Sequence, residues 1–561
     1  MRQFAVISLS LFAATAATGC ADHAFDGSGP AVDPNAPVVH ITSPDRGSVL
    51  GDVQTVMVTG TATDDVGVTS LTVNGTAVPV AADGTWSMSL PVSPGTQLVH
   101  AVALDASNNQ GTETRALLAG PMVPIDTAVP QAMQAALSAQ TFSAIGQGAA
   151  GFMNTADLEA MIAPHNPVYS AGAPNGPDCL YAMASITALS EHGATISLTP
   201  MAGGVFLDVE MDNFNAGLHV DYAVACIDGS HDASATADHL SVTGMLTIGV
   251  GSDGTFATSL TNPDVQFTNL DLELGGIPGD IVDLLDLEDS FGGIMGWAVQ
   301  QFMGPAVTSA LSGMTGAHTV SVLGTNVNVS VAPNAIQFDN TGAILDLDTS
   351  LRAQNDGGGP GYVYVPNGQL AMDDSKGFQL AVADDAANQL LASLWTAKAF
   401  DQTLDLTTGP YGQIGTLYDS VQLQAAVPPF VDLSGDGLKL TVGDLMATFS
   451  LKGQPVTRVA VNAQVDVKVT ADPMTGALRL DVGTPTVYVD VDDDAEGVMG
   501  ANELSNSQFE TIASFALSRI VAVGSGTLGA VPLPSVGGVS LANVGVQADA
   551  GYLLVTGAVQ P

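Results

Sequence analysis

Hydrophobic and polar residues alternate along Phe378–Val382, and the apolar residues that follow recur at helical spacing. Alternation is typical of a half-buried strand, whereas apolar residues three and four positions apart indicate one buried helix face. Asp384 or Asp385 suits the N-cap, because a carboxylate there accepts a free backbone N–H at the positive helix end. The apolar helix positions are Leu390, Leu391, Leu394 and Trp395. The pattern therefore predicts a strand that leads directly into a helix packed on a sheet.

The same arrangement recurs along the chain after about residue 125. Apolar residues at helical spacing predict helices over Ala132–Ile162, Ile281–Met314 and Ser505–Val521. Short alternating runs between them predict antiparallel strands, including one at Gly361–Leu370. This part of the chain is therefore predicted to combine antiparallel sheets with helices that carry wide apolar faces.

Residues 37–120 carry five short alternating strands and no helical pattern. Asn74-Gly75 and Asp83-Gly84 are dipeptides that favour tight hairpins, so the segment is predicted to be a small β-sandwich. It resembles bacterial Ig-like domains, which implies a spacer or an adhesive module. The matching stretches are Ile41–Pro44, Gly60–Asp64, Gly67-Val68, Val73–Gly75, Gly84–Trp86 and Asp105–Asn108. Asp64, Asp65 and Asp105 are interpreted as turn-forming carboxylates, with calcium binding as the alternative.

Charge excludes two classes of partner. The chain has 12 basic and 56 acidic residues, for a formal net charge of -44. Nucleic-acid binding needs cationic groups to neutralise phosphates, and electrostatic docking on anionic headgroups needs them too. We interpret the acidity as a device for solubility or as adaptation to the surrounding medium. Hydrophobic residues make up 46% of the chain and charged residues 12%, which indicates a core-forming globular protein.

The first 20 residues are predicted to be a leader outside the fold. Arg2 is followed by an apolar run and by Ala17-Thr-Gly-Cys20, which resembles a lipoprotein signal peptide with its lipobox. Alanine stands at position 17, where that pattern usually has leucine. The resemblance implies that Cys20 is lipidated, and Ala21 after it favours the outer membrane. An ordinary cleaved secretory signal is the alternative, and residues 21–36 are predicted to be a flexible tether.

The other two cysteines are Cys179 and Cys226. An even pair in an exported protein predicts a disulfide, because that compartment is oxidising.

Three stretches resemble the tubular lipid-binding superfamily, in the branch of bactericidal/permeability-increasing protein and lipopolysaccharide-binding protein. They are Val382–Trp395, Val427–Leu440, and the C-terminal helix with the segments Pro532–Pro534, Val539–Leu541 and Gly551–Leu554. The resemblance implies a β-rich α+β fold in which an Ig-like sandwich precedes two sheet-wrapped-on-helix half-domains, at 125–315 and 316–561. The chain lacks the basic cluster with which lipopolysaccharide-binding members hold phosphates.

The superfamily resemblance also implies slots that hold acyl chains. Apolar helix residues are the candidates for lining them, and methionine suits a lining that adapts to variable chains. The alternative is that each of these residues is ordinary core, since a stripe at helical spacing is usually packing. The candidates are Met295, Ala298, Phe302, Met303, Leu390, Leu391, Leu394, Trp395, Phe509, Ile512 and Ala516.

A calcium site is possible at Asp492, Asp494, Glu496 and Glu503. Their spacing places acidic residues at positions one, three, five and twelve of a loop, with Gly497 at position six. A solvated acidic turn is the alternative. The sequence has no Gly-x-Ser-x-Gly elbow and no paired histidine motif, so no catalytic residue is predicted.

Together these patterns predict a non-enzymatic protein, lipid-anchored to the outer membrane of the cell envelope. Its expected partners are a lipid or similar hydrophobic molecule and, through the anchor, the membrane. The first alternative is a structural or adhesive surface protein with filled slots. A secreted hydrolase is the less favoured alternative.

Overall fold

The computed structural model describes residues 33–155, 157–173, 180–285, 287–408, 414–433, 437–471, 478–492, 504–514 and 540–560. The predicted leader, Cys20 and most of the predicted tether lie outside the described residues. The described chain is mostly β, with an N-terminal Ig-like domain followed by three large sheets.

The Ig-like domain contains two sheets that enclose one apolar core. A three-stranded sheet has the order β1-β3-β6, and a five-stranded sheet has the order β2-β8-β7-β4-β5. Alternating residues point inward, and Ile41, Val58 and Trp86 are buried between the sheets. The predicted hairpin at Asn74-Gly75 is confirmed, since both residues have positive φ and join β4 to β5. The strands are β1 (Val38–Ser43), β2 (Ser48–Gly51), β3 (Thr55–Thr63), β4 (Val68–Val73), β5 (Thr76–Ala77), β6 (Thr85–Pro91), β7 (Gly95–Asp105) and β8 (Gln110–Ala119).

The next part of the chain forms a six-stranded sheet, covered by helices. The sheet has the order β11-β12-β13-β14-β15, and β16 pairs with β14. Its elements and the preceding ones are β9 (Met122–Val123), β10 (Val129–Ser138), α1 (Ala139–Met153), α2 (Leu158–Ile162), β11 (Tyr169–Gly172), β12 (Tyr181–Met201), β13 (Gly204–Val224), β14 (Ile227–Val250), β15 (Phe256–Thr268), β16 (Asp271–Glu273), α3 (Gly279–Leu285) and α4 (Leu287–Ser312).

The rest of the chain supplies most of a central sheet and a separate C-terminal sheet. Its elements are β17 (Gly316–Val322), β18 (Thr325–Phe338), β19 (Gly342–Ala353), β20 (Tyr362–Val363), β21 (Phe378–Ala383), α5 (Asp384–Thr396), β22 (Gln402–Asp405), β23 (Ser420–Ala425), β24 (Phe430–Asp432), β25 (Leu438–Leu451), β26 (Gln454–Ala471), β27 (Leu478–Val482), β28 (Thr486–Val491), a helix α6 (506–514), β29 (Ser540–Asp549) and β30 (Tyr552–Gln560).

The central sheet joins distant parts of the chain. It has seven strands in the order β17-β18-β19-β10-β21-β30-β29, so β10 lies between strands that follow it by about 200 residues. Leu137 pairs with Ala343 on one side and with Phe378 on the other. The division of the chain at residues 315 and 316 stays a prediction, and this sheet takes strands from both sides of it. The C-terminal sheet has seven strands, with β25 and β26 at its centre.

The prediction of one helix over Ala132–Ile162 is wrong at its start. Residues 129–138 form strand β10, and α1 begins only at Ala139, where the Ser138 side chain accepts a hydrogen bond from the Thr141 N–H. Alanine-rich segments favour a helix when nothing competes. Here Ala132, Ala135 and Ala136 are fully buried in the middle of the central sheet, so pairing on both edges overrides the local preference.

Two further predictions are corrected by local contacts. Gly361–Leu370 contains a strand only at Tyr362–Val363, which pairs with β9. The N-cap of α5 is Ala383, which makes no side-chain cap, and Asp384 and Asp385 lie in the first turn. The Asp384 carboxylate accepts a hydrogen bond from the Leu433 N–H instead. The strand-to-helix arrangement itself is confirmed, because β21 leads directly into α5.

The Ig-like domain packs directly on the C-terminal sheet. Ala116 N–H and Thr114 N–H donate to the carboxylates of Asp444 and Asp490, each at 2.8 Å. Arg46 lies among these carboxylates, with Nη1 2.8 Å from Asp444 Oδ1. A Cβ added at Gly443 would lie 2.4 Å from the Cβ of Ala116, so the two surfaces touch at van der Waals distance. The domain is thus fixed to the sheet by a buried polar junction.

Candidate functional site

Helix α4 forms one wall of the candidate site. It lies along β15, and two glycines allow the close approach: a Cβ at Gly304 would be 2.8 Å from Thr258 Oγ1, and one at Gly296 would be 3.1 Å from Pro263. The helix remains continuous through Pro305, which is exposed. Its other side faces α1, β12 and β13, with Met295, Val299 and Phe302 buried there.

A cavity of about 230 Å³ lies between α4, the end of α1, α2 and the β12–β13 pair. Most of the side chains around it are apolar, and three of them are methionines. The lining residues are Met153, Ile162, His165, Leu189, Met211, Met295, Trp297, Ala298, Val299, Gln301 and Phe302.

The cavity has an apolar interior and a polar opening. Met153, Met211 and Met295 are almost fully buried. His165 and Gln301 are exposed, and Trp297 is half-buried. The His165 and Trp297 rings meet edge to face, with centroids 5.2 Å apart. Among the described residues, no carboxylate, hydroxyl or thiol lines the cavity, and the described lining can enclose an apolar group.

Of the predicted α4 candidates, Met295, Ala298 and Phe302 line the cavity. Met303 is fully buried in the core shared by α1, α4 and the sheets. Whether these side chains contact a ligand stays a prediction. The geometry follows from helical spacing, since 295, 298 and 302 share one face.

The predicted α5 candidates have other surroundings. Leu394 packs with Val327 and Ala399, and Leu390 lies partly buried beside them. Leu391 and Trp395 are half-buried, and the Trp395 indole N–H donates to the Ala425 carbonyl at 2.9 Å. Polar side chains of this helix are buried beside its apolar ones: Asn388, Gln389 and Ser393 lie inside together with Ala392 and Leu394.

These buried polar side chains bind backbone from three neighbouring segments. Gln389 Oε1 accepts from Leu351 N–H at 2.8 Å, and its Nε2 donates to the Thr127 carbonyl at 2.7 Å. Asn388 exchanges two hydrogen bonds with Val431, and the Ser393 hydroxyl accepts from Ala353 N–H. Helix α5 therefore holds the segment after the Ig-like domain, the central sheet and the C-terminal sheet together.

The candidates in the C-terminal helix belong to a packed core. Phe509 is 2% exposed and stacks near Tyr418 and Phe449, with ring centroids 6.4 and 5.3 Å apart. Ile512 packs against the same cluster, and Ala516 lies outside the described residues.

The remaining predicted sites lie largely outside the described residues. Cys179 lies outside the described residues, so the disulfide stays a prediction. Asp492 is described, whereas Asp494, Glu496 and Glu503 are not, and the calcium loop stays a prediction. No helix in the described part of the chain is long and apolar enough to cross a membrane.

Sequence reasoning missed several cavity residues. Trp297 and Val299 are on the predicted helix Ile281–Met314 but are not among the residues assigned to its apolar face. Leu189 and Met211 come from two strands, and His165 from a turn after α2. The sequence spacing of these positions does not show that they meet. Leu189 and Met211 come together because β12 and β13 pair along most of their length.

Comparisons with known proteins agree with part of this picture. A family model described as "Glucodextranase, domain B" matches residues 37–120. The chain matches none of the curated proteins.

Three solved structures are similar over larger parts. "Crystal structure of lipopolysaccharide binding protein" is 13% identical, covering 77% of this chain and 99% of that chain, with a TM-score of 0.38. P47 of Clostridium botulinum E1 is 7% identical over 77% of this chain and 100% of that chain, with a TM-score of 0.26. Fibronectin(III)-like modules of Clostridium thermocellum CbhA are 12% identical over 35% of this chain and 92% of that chain, at 0.14.

Proposed function

We propose that this protein binds a hydrophobic ligand, the acyl chain of a phospholipid or a similar lipid, in the cavity beside α4. The observation that carries the proposal is the cavity itself, about 230 Å³ with three methionines and Phe302 around it. This volume is below the roughly 300–1,000 Å³ typical of sites for drug-sized molecules. We therefore expect it to take a segment of one chain.

The apolar lining sets the expected strength of binding. Transfer of one methylene from water to an apolar site contributes about 0.8 kcal/mol. A segment of about six methylenes would then contribute roughly 5 kcal/mol, before the entropic cost of association. His165 and Gln301 at the opening can donate hydrogen bonds to a carboxylate or ester oxygen.

The function that we propose is non-catalytic. Among the described lining residues, one histidine and one glutamine have no hydroxyl, thiol or carboxylate beside them, whereas acyl transfer needs a nucleophile activated by an adjacent base. We further propose that the protein acts at the cell envelope, anchored at the outer membrane through lipidated Cys20. The lipobox-like sequence supports this localisation.

The test is lipid retention by the full-length protein. Native mass spectrometry after purification from cells, and titration with the fluorescent fatty acid cis-parinaric acid, should show a bound lipid and saturable binding. Ala298→Phe fills the cavity and should weaken probe binding by about tenfold or more. Ser309→Phe, on the exposed face of the same helix, is the matched control and should leave binding unchanged.

A structural or adhesive role is the second candidate, favoured by the Ig-like domain at 37–120. It predicts no co-purifying lipid and no saturable probe binding in the unsubstituted protein. That result would refute the lipid-binding proposal.

A further inference from the structure

Three carboxylates converge where the chain enters the Ig-like domain. Asp33 precedes β1, and Asp64 and Asp65 occupy the turn between β3 and β4. Each of the three supplies one oxygen, and these oxygens all lie within 4.8 Å of one another. Like charges at this distance repel, so the arrangement costs free energy unless a cation offsets it.

Two of these carboxylates are incompletely satisfied. Asp33 is 8% exposed, and its Oδ2 is buried with no hydrogen-bond donor among the described residues. Oδ1 of Asp64 is likewise buried, with no hydrogen-bond donor among the described residues. An ionised carboxylate oxygen that loses water without gaining a partner is strongly disfavoured. Such oxygens therefore indicate that something positively charged belongs between them.

Three of the remaining carboxylate oxygens already have defined partners. Asp64 Oδ2 accepts from the N–H groups of Val66 and Gly67, at 2.9 and 2.7 Å. Asp33 Oδ1 accepts from Asn35 N–H, and Asn35 Nδ2 donates to Asp65 Oδ2. In the described part of the chain, no lysine, arginine or histidine forms an ion pair with any of the three. No basic side chain of the described residues therefore neutralises these carboxylates.

We propose that Asp33, Asp64 and Asp65 bind a calcium ion. Calcium takes six to eight oxygen ligands at about 2.3–2.6 Å, so oxygens held within 4.8 Å of one another can share one ion. Zinc would favour histidine or cysteine ligands, which are absent from this cluster. Magnesium demands a smaller octahedral shell. Backbone carbonyls and water would complete the calcium shell.

The site connects the segment at Asp33–Asn35 to the β3–β4 turn, which the Asn35–Asp65 hydrogen bond also joins. Asn109 Nδ2 donates to the carbonyl oxygens of Asp33 and Asn35, which holds this segment on the β7–β8 turn. A calcium ion would fasten the same segment to the β3–β4 turn as well. The bound ion would thus hold the first described residues of the domain at two turns.

The test is calcium binding by the full-length protein, measured by isothermal titration calorimetry after removal of divalent ions. We expect a site with a Kd of about 0.1–1 mM, the range of extracellular calcium modules. Asp33→Asn and Asp65→Asn should each weaken this site at least tenfold. Asp52→Asn replaces an exposed carboxylate of the same domain and should leave it unchanged. Measurements in an Asp494→Asn/Glu503→Gln background remove any contribution from residues 492–503.

Thermal unfolding separates a metal site from a turn held by hydrogen bonds. Without calcium, Asp33→Asn relieves repulsion and should raise Tm; with 10 mM calcium it should lower Tm relative to the unsubstituted protein. A Tm change of the same sign in both conditions would overturn the proposal. So would the absence of calcium binding in the 494/503 background, or binding there that survives both single substitutions.

Discussion

Replacement of Arg46 by methionine is the sharpest test of the junction between the Ig-like domain and the C-terminal sheet. The Arg46 guanidinium contacts Asp444 at 2.8 Å, Glu113 at 3.1 Å and Asp490 at 3.6 Å. Asp444 is 0% exposed. Methionine keeps much of the side-chain volume but removes the positive charge, which leaves three buried carboxylates beside one another. Breaking a buried ion pair by removing one partner costs about 3–5 kcal/mol.

The effect should depend on pH. Burial raises the pKa of Asp490 to about 7, against the lowering influence of Arg46. A carboxyl group whose pKa is higher in the folded protein stabilises it most below the unfolded pKa, and that contribution is lost as pH rises through about 7. Without Arg46 nothing offsets the charge of Asp490, which can protonate at pH 5 but must ionise at pH 8. The loss of stability in Arg46→Met should therefore be larger at pH 8.

Chemical unfolding at both pH values measures the loss, and hydrogen exchange locates it. The Thr114 and Ala116 amides donate to Asp490 and Asp444, so peptides that contain them should exchange faster. Lys376→Met is the matched control. Lys376 contacts Asp373 at 2.7 Å, but its side chain is 76% exposed, so a much smaller effect is expected. Equal losses for the two variants would refute the reasoning from burial.

Two further predictions concern α5. Burial raises the pKa of Asp385 to about 7, opposed by a hydrogen bond from Val365 N–H. The stability that this group contributes should therefore fall as pH rises from about 4 through 7, and Asp385→Asn should flatten that part of the pH–stability profile. A profile with unchanged slope would contradict this. Gln389→Met leaves the Leu351 N–H without its 2.8 Å acceptor. It should reduce the free energy of unfolding by about 1–3 kcal/mol in chemical denaturation, whereas the exposed Gln147→Met should have almost no effect.

Local patterns were sufficient where a segment's environment is set by its own sequence. The Asn74-Gly75 hairpin follows from residues that tolerate positive φ, and β21–α5 follows from a change in apolar period. Local patterns failed where strand partners far along the chain determine the secondary structure. β10 is a strand because β19 and β21 pair with it, and no signal within Ala132–Leu137 reveals those neighbours.

The candidate site shows the same limit. Helical spacing placed Met295, Ala298 and Phe302 on one face, but the cavity exists because α4 stands across from Met211 and Leu189. On α5 the apolar stripe suggested the buried face, whereas the helix buries Asn388 and Gln389. Polar burial of this kind depends on backbone groups supplied by other segments, which a pattern along one helix does not contain.

The position of β10 has a consequence for how the chain reaches its final form during synthesis. Residues 129–138 emerge early, yet both neighbouring strands emerge more than 200 residues later. Until then β10 has two open hydrogen-bonding edges, which are sites where unfinished chains associate. Such long-range pairing also slows folding. Folding of this protein should therefore depend on a holding chaperone, and a chain cut short after residue 315 should aggregate.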